Sequence, residues 1–208
     1  MKKVILVIVC LFLFSCEQIT KSIDDTLKPN DSVAEKEIEN TPSVSVQSEK
    51  TATNLLTDIP TLKKAEEELK KLPQYKGKKM FVYSMLYFYN DGRINALLQH
   101  PENPKYIDTY EFKDGKWSEP IPLQVSIRDD IKGRLVSLNK ISFANAAKVA
   151  QIYNEKAEEV EGAQPTTSVY ISIWKNEVKW YPTTINGSRE RYLIQFNEDG
   201  SLKEFKQD

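Results

Sequence analysis

The sequence predicts an α+β protein: two units, each a helix followed by antiparallel strands, preceded by a disordered tether. Three observations carry that prediction. Alternating apolar runs of strand length recur between Met80 and Phe205, separated by turns rich in acidic residues and glycine. Two other stretches repeat their apolar residues every three or four positions. Between Glu17 and Gln74 there is no aromatic residue, so the front of the chain has little to bury.

The chain opens with Lys2 and Lys3 before an apolar run from Val4 to Phe14, a charged n-region and an h-region too short to span a bilayer stably. The run ends in Leu13, Phe14, Ser15 and Cys16, which resembles the lipobox of bacterial lipoprotein precursors; Phe14 departs from the smaller residue usual there. That resemblance implies a signal peptide at 1–15, cleavage between Ser15 and Cys16, and a diacylglycerol thioether on Cys16, with a third acyl chain in many bacteria. At about 0.8 kcal/mol per buried methylene, two or three such chains anchor a protein far more firmly than one. The first expected partner is therefore membrane lipid, held through acylated Cys16. Cys10 leaves with the signal, so the folded part keeps no thiol for a disulfide, a zinc site or a nucleophile. Glu17 is not the aspartate that marks inner-membrane retention in enterobacterial sorting, so the expected location is the outer membrane of the cell envelope, at its periplasmic face or the cell surface.

Residues 16–57 read as the lipidated cysteine and its tether. The 41 residues from Glu17 to Thr57 are mostly Ser, Thr, Asp, Glu, Lys and Asn. A flexible chain of that length spans about 35 Å, at roughly 5–6 Å times the square root of length. Of 29 basic residues two leave with the signal, against 30 acidic ones, a balance that carries no nucleic-acid footprint.

The domain is expected over 58–208, with subunits at about 58–128 and 140–208. Asp58 or Thr61 can cap a first helix, Pro60 fits its first turn, and Leu62, Ala65, Leu69 and Leu72 form a narrow stripe that Pro73 stops. The strand Met80–Tyr89 sets Phe81, Tyr83, Met85, Tyr87 and Tyr89 on one face and Met80, Val82, Leu86 and Phe88 on the other, a pattern for a central strand. Asn90, Asp91 and Gly92 turn it into RINALLQ; Tyr106–Phe112 is a third strand, and Pro120 and Pro122 confine IPLQVSI to an edge.

Ser142 can cap a second helix, with Phe143, Ala146, Ala147, Ala150, Tyr153, Ala157 and Val160 on one face and Gly162 as its stop. Strands SVYISIW, VKWYP, RYLIQF and SLKEF follow, with turns at KNE, INGS and NEDG. FKDGKW and FNEDGSL look alike, so the order helix, strands, helix, strands admits a tandem duplication, although such turns also arise independently in meanders.

The second helix together with RERYLIQFNEDGSLKEFKQ resembles a PepSY-like unit, through Tyr192, Ile194, Phe196, Asp199, Gly200, Leu202 and Lys203. Tandem units of this shape are also similar to secreted β-lactamase-inhibitor-type proteins. The resemblance covers about a third of the chain. It implies a helix-on-sheet envelope module that binds or restrains other proteins, peptidases among them, and it carries over no catalytic residue.

The residue types that could carry chemistry point the same way. The one histidine, His100, could be paired with Asp108 or Glu102, but no cysteine nucleophile or serine elbow accompanies it, and a loop position before Pro101 favours an exposed turn residue. No glycine-rich phosphate cradle and no spaced metal ligands occur, so neither catalysis nor a cofactor or metal is expected. What remains is aromatic. Most of the tyrosines and tryptophans are expected in the core, but two helices cannot cover both faces of a long meander. The expected partner-binding residues are Tyr83, Tyr87 and Tyr89, or Tyr170 and Trp174 with Ser172. The function expected is a lipid-anchored, protein-binding and non-catalytic envelope lipoprotein, inhibitory if the family resemblance extends so far. The alternatives are a structural or assembly lipoprotein and an envelope hydrolase.

Overall fold

The structure, a computed structural model, describes residues 54–208. The expected signal peptide, the expected cleavage and lipidation residues Ser15 and Cys16, and the expected tether up to residue 53 lie outside the described residues. The fold is α+β, with two α-helices and eleven strands among them.

Folded chain begins before position 58. A 3-10 turn at Leu55–Thr57 buries Leu55 and Leu56, and the Asn54 side chain accepts the Leu56 N–H. Two leucines in polar context are too short a signal for any period to register. Helix α1 (Ile59–Lys70) is capped by Asp58, whose carboxylate accepts the Thr61 N–H at 3.0 Å and the Thr61 hydroxyl at 2.7 Å. Leu62, Ala65 and Leu69 form its buried stripe. A 3-10 turn at Pro73–Tyr75 follows it.

The strands that follow are β1 (Phe81–Tyr89), β2 (Ile94–Gln99), β3 (Ile107–Lys113), β4 (Lys116–Trp117), β5 (Ile121–Leu123) and β6 (Leu135–Ser137). After helix α2 (Ala144–Glu158) come β7 (Ser168–Trp174), β8 (Glu177–Tyr181), β9 (Thr184–Asn186), β10 (Arg191–Phe196) and β11 (Leu202–Gln207). The main sheet runs β4-β3-β2-β1-β7-β8, with β5 added to β3 and β6 to β1. The first strands of the two helix-plus-strand halves, β1 and β7, pair antiparallel at its centre. The second half does not complete that sheet: β9, β10 and β11 form a separate three-stranded sheet.

Strand β1 is interrupted at Ser84, whose φ of 59° lies in the left-handed region. Its register with β2 shifts between Val82 and Leu86, a bulge. On the opposite edge the partner changes at the same point, from β6 beside Phe81–Tyr83 to β7 beside Met85–Tyr89. The bulge thus lets one strand serve two neighbours.

Both helices contribute to a single core against one face of the main sheet. Leu62 and Leu69 from α1, and Phe143, Val149 and Tyr153 beside and along α2, join Leu86, Phe88, Ile94, Phe112, Ile171 and Trp180 from the strands. Phe88 meets Phe143 edge-on at 5.1 Å between ring centroids. Ile185, Ile194 and Phe196 of the small sheet belong to the same core. The polar tips of large aromatics find backbone carbonyls: Trp117 Nε1 donates to Ala65 at 2.8 Å, Trp180 Nε1 to Glu198 at 3.0 Å, and the Tyr153 hydroxyl to Thr184 at 3.1 Å.

Ser142 does not cap α2. Phe143 holds the cap position without a side-chain bond of its own, and its N–H donates to Glu66 Oε2 of α1 at 2.8 Å. A carboxylate from the neighbouring helix meets the positive helix end instead, which ties the two helices together. At the β10–β11 turn, Asp199 accepts from the Ser201 hydroxyl and N–H and from Lys148, bonds that hold its carboxyl down to about 2. Gly200 beside it has φ +76°, and a Cβ there would stand 3.0 Å from the Asn145 carbonyl of α2. Turn geometry and close approach to the helix both require glycine.

Candidate functional site

The face of the main sheet opposite the helices carries tyrosines in register. Across five strands, Glu111, Asn95, Tyr87, Tyr170 and Tyr181 lie directly opposite one another in sequence from β3 to β8. The Tyr87 and Tyr170 rings stack with centroids 4.9 Å apart, and those of Tyr170 and Tyr181 at 4.7 Å with only 6° between planes. Tyr89 continues the stack, 6.0 Å from Tyr87. Strand alternation produces this directly: Leu86, Phe88, Ile171 and Trp180 point to the core, so their neighbours must face away.

Cations flank the ladder. The Arg93 guanidinium lies 4.7 Å over the Tyr89 ring and is paired with Asp91. Arg134 sits 4.8 Å over the ring of Trp174, which is 57 % exposed. No carboxylate of the described residues pairs with Arg134, and its buried Nε has no hydrogen-bond partner among them. Arg134 is placed by the β7–β8 turn: Asn176 donates from its side chain to the Lys132 and Leu135 carbonyls at 2.7 and 2.8 Å, and from its backbone to Gly133 at 2.8 Å. Burial, followed by neighbouring tyrosines, pushes the Tyr87 and Tyr170 hydroxyls above the ordinary value, so both stay protonated donors.

Of the expected partner-binding residues, Tyr87, Tyr89 and Tyr170 come together on this face, with Trp174 further along the same side of β7. Tyr83 does not join the stack. It is 4 % exposed and pairs with Leu135 of β6, because the bulge at Ser84 separates the first part of β1 from the part that meets β7. Sequence reasoning missed Tyr181 as a ladder member. Its signal was present: a two-residue turn at Lys175–Asn176, both at positive φ, sets Tyr170 opposite Tyr181, whereas a three-residue turn at KNE does not.

His100 is half-buried at the wall of a pocket of about 640 Å³ that Asp108 also lines, so these two residues do share a site. Its Nδ1 accepts the N–H groups of Glu102 and Asn103, both at 3.1 Å. Among the described residues no group of three His, Cys, Asp or Glu side chains is placed to hold a metal ion. No helix among them is long and apolar enough to cross a membrane.

Fold and site together define a helix-on-sheet module with one face filled by its own core and the other paved with stacked tyrosines. Comparison with family models, with curated proteins and with solved structures returns no match for the chain.

Proposed function

We propose that this protein is a lipid-anchored envelope lipoprotein whose domain binds another envelope protein through the tyrosine ladder, without catalysis. The observation that carries the reading is the stacked row of Tyr89, Tyr87, Tyr170 and Tyr181 on the face the helices leave free. Rigid tyrosines offer large apolar area with a polar tip at small entropic cost, and such residues dominate protein interfaces. Trp174 and Arg134 extend the surface with an aromatic anchor and a cation free of carboxylates among the described residues, which suits a partner with an acidic rim. Anchoring rests on Leu13–Cys16 and the charged, apolar stretch before it. The antiparallel pairing of β1 with β7 supports descent of the two halves from one duplicated unit.

Photo-cross-linkers placed at Tyr170 and Tyr181 in the native envelope test the docking face. The reading expects one protein captured at both positions, absent from a control linker at Lys63 on α1, and lost when Tyr87 is replaced by lysine. Equal capture at all three positions would defeat it. Mass spectrometry of the mature N-terminus tests the anchor separately: it expects acylated Cys16 as the first residue, and an unmodified or retained leader would remove that part of the proposal.

A further inference from the structure

We propose that the pocket between the β2–β3 loop and strand β5 binds a small organic cation, an ammonium group on an apolar body, with Asp108 as its counter-ion. Asp108 lies on the core side of β3, in line with Tyr110 and Phe112, and is 5 % exposed. It is the one buried charged residue among those described. No described residue donates a hydrogen bond to its carboxylate or pairs with it as an ion. Its oxygens are not sealed from solvent: the carboxylate opens to the pocket it lines, where water or a cationic ligand can meet its charge.

The groups nearby are already engaged. The Tyr75 hydroxyl donates to the Gln99 carbonyl, Gln74 donates to the Tyr110 hydroxyl, and Lys78 is paired with Glu102. The Nδ1 of His100 is occupied by the Glu102 and Asn103 N–H groups. Neither lysine nor arginine lines the pocket, and Glu119 adds a second carboxylate to its wall. The rest of the lining is apolar or aromatic, chiefly Pro101, Tyr106, Ile107, Pro122 and Leu123. A volume of about 640 Å³ suits a small molecule. An anion would meet two carboxylates, and a neutral apolar guest would bury Asp108 still further without a partner. An ammonium satisfies the carboxylate, and tyrosine rings are favourable neighbours for it.

This site lies on the opposite face of the sheet from the tyrosine ladder and is independent of what docks there. The test is an NMR titration of the full-length chain in detergent micelles with 2-phenylethylammonium and with 2-phenylethanol, its neutral counterpart. Saturable shifts are expected at residues 100–108 and 119–123, with the ammonium binding about tenfold tighter or more, the scale of a charge-assisted hydrogen bond. In Asp108→Asn the preference for the ammonium disappears while the thermal midpoint changes little, since no hydrogen bond or ion pair of the described residues is lost. Equal affinity of the two probes for the unaltered protein overturns the proposal, as do shifts that map elsewhere or no saturation at millimolar concentration. The two-probe comparison decides the matter even if the variant does not fold.

Discussion

The two faces of the main sheet are built from the same strands yet obey different rules. On the helix face the residues are chosen for volume: Leu86, Phe88, Ile94, Ala96, Ile171 and Trp180 interlock with α1 and α2 and leave almost no exposed surface. On the other face Tyr87, Tyr170 and Tyr181 stack on one another and keep part of each ring in water. Cross-strand stacking stabilises the second face locally, while burial of apolar area stabilises the first as a unit. Sheet stability therefore rests mainly on one side, while the stacked rings of the other stay half-exposed.

That contrast is most sharply broken at Phe88, which touches Phe143 and closes the core beneath α2. Phe88→Ala is expected to cost about 3–5 kcal/mol, from lost transfer energy and the cavity left behind. Urea unfolding would read the loss, and a cost below about 1 kcal/mol, typical of surface positions, would show that this face is not the stabilising one.

A middle-sized effect belongs to Asn176, which anchors the segment carrying Arg134. Asn176→Gly keeps the left-handed turn but removes two side-chain hydrogen bonds, for an expected cost of about 1–3 kcal/mol. It should also release Arg134 from Trp174, so tryptophan fluorescence is expected to shift while far-UV circular dichroism stays the same. An unchanged spectrum would mean that the β7–β8 turn does not position the cation.

The smallest stability effect is expected on the ladder. Tyr170→Thr puts a β-branched strand former in place of the ring and gives up two stacking contacts, costing about 0.5–1.5 kcal/mol, less than the core substitution by a wide margin. Photo-cross-linking from Tyr181 should nevertheless fall sharply, because the central ring of the row is gone. If stability dropped as far as for Phe88→Ala, the ladder would be part of the core and the comparison between faces would fail.

Much of this was readable locally. The Asp58 cap, the Leu62, Ala65 and Leu69 stripe and the Asn90–Gly92 turn each depend on residues within a few positions of one another, and the structure places them as their periods and turn chemistry require. The cap of α2 was not readable: its acceptor, Glu66, comes from another helix, and nothing near Ser142 signals it. Short strands such as β6 and β9 gave too few residues to show alternation. They form because a partner edge is already present.

Sequence alone determined which residues alternate, where the first helix begins, and that the molecule is α+β, because these follow from a local cap and from periods of two and about 3.6 residues acting over short distances. Tertiary structure decided what those elements become. The meeting of Tyr87 with Tyr170 joins strands from different halves, and the bulge at Ser84 removes Tyr83 from their company. Alternation shows that Asp108 shares a face with Tyr110, but only the packed molecule shows that no described residue answers its charge and that a pocket stands open beside it. Such outcomes depend on which edges pair and on what each face then meets, and those are properties of the whole assembled sheet.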